Sequence, residues 1–143
     1  VLNRTLLIAA VLLLSACGGG VAGTPTPSAP STPAQASRPS TDAKVTIISP
    51  TQGEVVHGTM VNVVIGLSGA TVTRTYSTNI NPREGHIHLY LDNQLIYMNY
   101  TLQQEVPVHP GLQYTLYAEF VAADHFPFNP RDRTGIVYFS VAA

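Results

Sequence analysis

Two histidines one residue apart, His86 and His88, interrupt the apolar run GHIHLYLD at 85–92, which Asp92 closes in phase. In an extended strand alternate side chains share a face, so Ile87, Leu89 and Leu91 form one side. His86, His88, Tyr90 and Asp92 form the other. At a rise of about 3.4 Å per residue the two imidazoles stand about 7 Å apart along the strand, close enough to converge on one ion. A third imidazole, His125, follows Asp124 in ADHFPFNP, expected as a loop before the last strand. Neutral imidazole is the commonest ligand for zinc and copper, and three of them with an open fourth position would form a copper or zinc site. Asp92 suits a hairpin-holding role, and Asp124 suits an Asx turn that accepts backbone amides of its own loop. The competing reading makes the histidines polar framework, bracing neighbouring loops. His57 beside Gly58 and His109 beside Pro110 fall in turns and read as surface residues.

Other chemistries find less material. No Gly-x-Ser-x-Gly nucleophile elbow occurs, so the serines and histidines do not read as a hydrolase triad. Glu84, Asp92, Glu105, Glu119, Asp124 and Asp132 are scattered among turns and strands rather than paired for acid–base work. Net charge is -1 with 10% charged residues, which excludes the basic stripe of a nucleic-acid binder.

The elements that position the histidines are strands. Runs KVTIIS, MVNVVIGLS, ATVTRTYS, HIHLYLD, QLIYMNY, QQEVPV, QYTLYAEFVA and GIVYFSVA recur between turn signals. Asp92-Asn93 suits a tight hairpin, because both residue types tolerate left-handed backbone angles. No segment sustains a 3.6-residue apolar period, so helices are not expected. Seven to eight short strands over residues 44–143 predict a single all-β domain, an immunoglobulin-like antiparallel β-sandwich. Superoxide dismutases and copper carriers share that architecture with non-catalytic domains, so the fold alone does not decide function.

The N-terminal part reads differently. Arg4, the apolar stretch Leu6–Leu14 and the small residues after it form a signal peptide over 1–16, too short for a permanent membrane span of about 20 residues. LSAC at 14–17 has the form of a lipobox, so Cys17, the only cysteine, is expected to be acylated and to become the mature N-terminus. Gly18, rather than an aspartate, follows it, which in a two-membrane host favours the outer membrane. Residues 18–43 are rich in Gly, Pro, Ser, Thr and Ala, and predict a disordered linker that cannot bury enough apolar surface to fold.

With these motifs in place, the chain resembles an uncharacterised family of small bacterial exported domains, DUF4399, and related immunoglobulin-like lipoprotein domains. The shared pattern is a Gly-His-x-His-x-x-x-Asp strand, a Pro-Gly turn and an Asp-His-x-Pro loop. It falls on His86, His88, Asp92, Pro110, Gly111, Asp124, His125 and Pro127 and spans nearly all of 44–143. Where that family carries a histidine after the Pro-Gly turn, this chain has Gln113 and Tyr114, so a site that used that histidine would lack it here. The resemblance implies fold and location rather than an activity. A rival likeness to Cu/Zn superoxide dismutase fails on the interrupted HFPFNP string, the missing zinc loop and the missing disulfide cysteines.

The expectation is therefore a lipoprotein held to a bacterial envelope membrane through Cys17 and displaying a non-catalytic interaction domain. The alternative is an envelope copper- or zinc-binding protein that uses His86, His88 and His125.

Overall fold

The structure is a computed structural model that describes residues 37–143. The expected signal peptide, Cys17 and the linker up to residue 36 lie outside the described residues. Within them the chain forms ten strands and no helix. These are β1 (Lys44–Ser49), β2 (Val55–Val56), β3 (Met60–Ser68), β4 (Thr71–Val72), β5 (Glu84–Leu91), β6 (Gln94–Asn99), β7 (Gln103–Pro107), β8 (Gln113–Ala122), β9 (Pro127–Arg133) and β10 (Val137–Val141).

Alternation in the sequence becomes two facing sheets. The smaller runs β1-β3-β7 and turns Val61, Val63 and Ile65 of β3 and Val106 of β7 inward. The larger is centred on the antiparallel pair β5–β8, with β10, β9, β6, β4 and β2 around it. Its inner rungs are Ile87 with Phe120, Leu89 with Ala118 and Leu91 with Leu116. Ile87, Leu89, Leu116, Ala118 and Phe120 are fully buried in the single core cluster between the sheets. At the start of β8 the Tyr114 hydroxyl accepts a 2.9 Å hydrogen bond from the His109 amide, five residues upstream. That contact has the form of the tyrosine corner of immunoglobulin-like sandwiches. The domain is an all-β sandwich of this type.

Eight of the strands are five residues or longer, matching the sequence expectation, and the two others are two-residue pieces. Those two, β2 beside β10 and β4 beside β5, pair in parallel, so the sandwich is not wholly antiparallel. Two stretches differ from their reading in sequence. ATVTRTYS contributes only Thr71–Val72 to a sheet, because the chain then leaves β5's edge to cross its outer face. ADHFPFNP is expected as a loop, but its last four residues open β9; as an edge strand paired only with β8, β9 tolerates their prolines.

The domain also begins earlier than Lys44. Ala43 is fully buried in the core, and the Pro39 carbonyl accepts a hydrogen bond from the Asn129 amide. Arg38 reaches across to β9 and the turn before it. The last residues of the expected linker are thus part of the sandwich.

Gly85 opens the histidine strand for a steric reason. A Cβ there would lie 2.0 Å from the Val121 carbonyl oxygen and 2.8 Å from the Phe120 ring, so β5 and β8 could not close at this rung. Gly135, by contrast, has open space around it. Gly85→Ala should therefore destabilise by about 1–3 kcal/mol or more, the range for overpacking a tight site. Gly135→Ala should stay within about 0.5 kcal/mol of the parent. Urea unfolding of both variants checks this, and equal costs would contradict the close approach.

Candidate functional site

The outward side of β5 is not a solvated face. His86 is fully buried and His88 is 6% exposed, because two covering segments lie over them. One is the stretch after β4: the Thr73 amide donates to the Gly85 carbonyl, and the Ser77 amide donates to the Ala123 carbonyl. The other is the tight β8–β9 turn, Ala123 to Phe126, closed by hydrogen bonds from the His125 amide to the Ala122 carbonyl and from the Ala122 amide to the Phe126 carbonyl.

His86 ties both covers to the strand. Its Nδ1 lies 2.8 Å from the Thr73 carbonyl oxygen and its Nε2 3.2 Å from the Ala123 carbonyl oxygen. A carbonyl only accepts, and a neutral imidazole has one ring N–H, so the tautomer decides which of the two oxygens receives the hydrogen bond. Neither nitrogen presents a lone pair to open space. Tyr100 meets the same ring edge-on, with centroids 5.1 Å apart.

His125 arrives from the turn. Its backbone is left-handed, with φ 65°, a conformation uncommon for a residue with a side chain. The turn is held by Asp124, whose Oδ1 accepts from the Phe126 amide, the Asx arrangement expected of it. Arg38 grips the same carboxylate through two nitrogens, at 2.6 and 2.8 Å, and donates to the Phe126 and Pro127 carbonyls. The hydrogen bond from Arg38 holds the Asp124 carboxyl below the usual carboxylate range. So anchored, the His125 ring stacks on His86 with centroids 4.2 Å apart and places Nδ1 3.4 Å from His88 Nε2. Tyr76 also stacks with the His125 ring, 6.3 Å between centroids.

The three imidazoles named from sequence do come together, but not as three converging ligands. Among the described residues no group of three or more His, Cys, Asp or Glu side chains is arranged to hold a metal ion. His86 is turned to the backbone, and His88 and His125 face one another. Asp92 stands apart in the β5–β6 hairpin, where both it and Asn93 have positive φ. Its Oδ1 accepts from the amide and hydroxyl of Thr115. His57 and His109 are exposed and lie away from this cluster.

One feature the sequence reading passed over is Glu119. It pairs with His88 across the β5–β8 ladder, is fully buried, and is held by two guanidinium nitrogens of Arg131. The signal for it was a single carboxylate in the apolar run QYTLYAEFVA; its partner sits in the strand taken for a loop. Next along the row, Tyr90 and Tyr117 stack at 4.5 Å, and the Arg133 guanidinium lies 4.9 Å from the Tyr117 ring centre.

No family model matches the chain, and no curated protein does. Among solved structures, the fibronectin(III)-like modules of Clostridium thermocellum CbhA are similar, at 21% identity and a TM-score of 0.49, over 68% of this chain and 94% of that one.

Burial, and then the neighbouring His125, push His88 down to about 4, with Glu119 opposing the shift; burial followed by His86 lowers His125 as well. The fold therefore favours the neutral rings. The unfolded chain takes up a proton near pH 6.5, whereas folded His88 waits until about pH 4, so stability is full above 6.5 and declines as pH falls through that window. In metal-free protein, urea midpoints should drop between pH 7 and 4.5, and His88→Gln should flatten the drop. A slope unchanged in that variant would contradict burial of a neutral His88.

Proposed function

We propose that the protein is an envelope lipoprotein, anchored through Cys17, that displays a non-catalytic β-sandwich interaction domain. The observation that carries this reading is the rim of exposed apolar side chains around the histidine layer. Tyr76 is 62% and Phe126 63% exposed, Met98 53% and Tyr100 41%. Tyr76 and Tyr100 lie against His125 and His86, Phe126 follows His125, and Met98 is the β6 partner of His88. Grouped exposed apolar side chains mark a docking surface, and aromatic residues dominate binding energy at such surfaces. The buried polar groups beneath are occupied with one another: His86 with two carbonyls, Glu119 with Arg131, Asp124 with Arg38. That supports a rigid platform rather than a reaction centre.

The anchor follows from the lipobox and from membrane affinity, since a diacylglycerol plus an amide-linked chain holds firmly where one chain is marginal. Cys17→Ala should move the protein from the membrane fraction to the soluble one; retention after a carbonate wash would overturn the anchor. For the docking face, a photo-crosslinking residue at position 76 should give envelope adducts. The same residue at position 48, on the exposed side of the smaller sheet, should give far fewer. Equal yields at the two positions would refute the rim as the binding face.

A further inference from the structure

His88 Nε2 and His125 Nδ1 face each other across 3.4 Å. That is longer than the roughly 2.7–3.2 Å of ordinary hydrogen bonds to nitrogen donors. It is close to the span one tetrahedral zinc sets between two ligands. With Zn–N bonds of about 2.0–2.1 Å, the separation corresponds to an angle of about 108–116° at the metal. A square-planar copper(II) ion with bonds of about the same length would need adjacent nitrogens about 2.8–3.0 Å apart or opposite ones about 4 Å apart. Zinc would sit about 1.1 Å off the line between the nitrogens, at those bond lengths.

The surroundings fix this pair more firmly than a chance contact requires. His88 is rooted in the central strand of the larger sheet, and His125 is delivered by a left-handed turn clamped by Arg38 and Asp124. A residue held in a sparsely populated backbone region points to a demand on its side chain. His86, stacked on His125, fixes the plane of that ring while its own nitrogens face carbonyls. His88 is buried and His125 partly exposed, so a cation between them would have protein on one side and solvent on the other.

We infer that His88 and His125 form a two-imidazole zinc site at the centre of the aromatic rim, with His86 supporting His125 rather than ligating. Two coordination positions remain for water or for a donor from a molecule docked on the rim. The site stands on the facing nitrogens and is independent of the lipid anchor and of the crosslinking result.

The test uses the full, tag-free chain carrying Cys17→Ser, so that no thiol competes, titrated with zinc chloride by calorimetry. One zinc should bind per chain, and His125→Asn should weaken binding at least tenfold. Asparagine tolerates the left-handed backbone, so the turn is kept; an unchanged melting temperature verifies it. X-ray absorption of the loaded parent should count two imidazoles. No uptake, equal affinity in a folded His125→Asn variant, or a count of none or three imidazoles would overturn the assignment.

Discussion

A buried imidazole held between two backbone carbonyls is the constraint around which the outer layer of this sandwich is arranged. An apolar side chain at position 86 could fill the same volume, but it would leave the Thr73 carbonyl without the ring, while the Ala123 carbonyl would keep only the Ser77 amide. Desolvating such a group without a partner costs about 1–3 kcal/mol. Because both covers dock on one ring, the stretch after β4 and the β8–β9 turn are fixed relative to each other as well as to β5. The result is a third layer, thin and polar, laid over a sheet whose other face is already in the apolar core. Its contents, imidazoles, a buried carboxylate and tyrosines, are the residue types that can be buried when each finds a partner.

The N-terminal arm completes the arrangement from a distance in sequence. Arg38 lies 86 residues from Asp124, yet its fork grips the carboxylate that shapes the His125 turn. Bidentate guanidinium–carboxylate pairs add geometric definition as well as energy. The order of dependence therefore runs from Arg38 to Asp124, from Asp124 to the left-handed His125, and from His125 to the two imidazoles it meets.

Much of the sandwich could be read from the sequence because alternation dictates it. Val61, Val63 and Ile65 on β3, and Ile87, Leu89 and Leu91 on β5, fall on inner faces by period alone, and Asp92-Asn93 marks its hairpin. The meeting of His125 with His86 and His88 was foreseeable as a possibility of spacing. What spacing could not convey was direction: whether a ring nitrogen faces a carbonyl, another imidazole or solvent is set by chains that cross later. The burial of His86 and His88 is not legible in the sequence for the same reason, since polar residues in phase on a strand look solvated until something covers them. β9 and the Glu119–Arg131 pair were hidden by Pro127 and Pro130, whose disruptive meaning is lost at a sheet edge. The inclusion of Arg38 to Ala43 was masked by composition, because a linker-like run holds one anchoring charge and one core alanine.

The central claim, that His86 is a framework residue bridging two covering segments, is open to one direct measurement. Long-range nitrogen–proton NMR of histidine-labelled protein should show a ring N–H of His86 protected from solvent exchange, with dipolar contacts to the backbone around Thr73 or Ala123. A His86 ring proton exchanging as fast as those of exposed His57 and His109 would contradict the account.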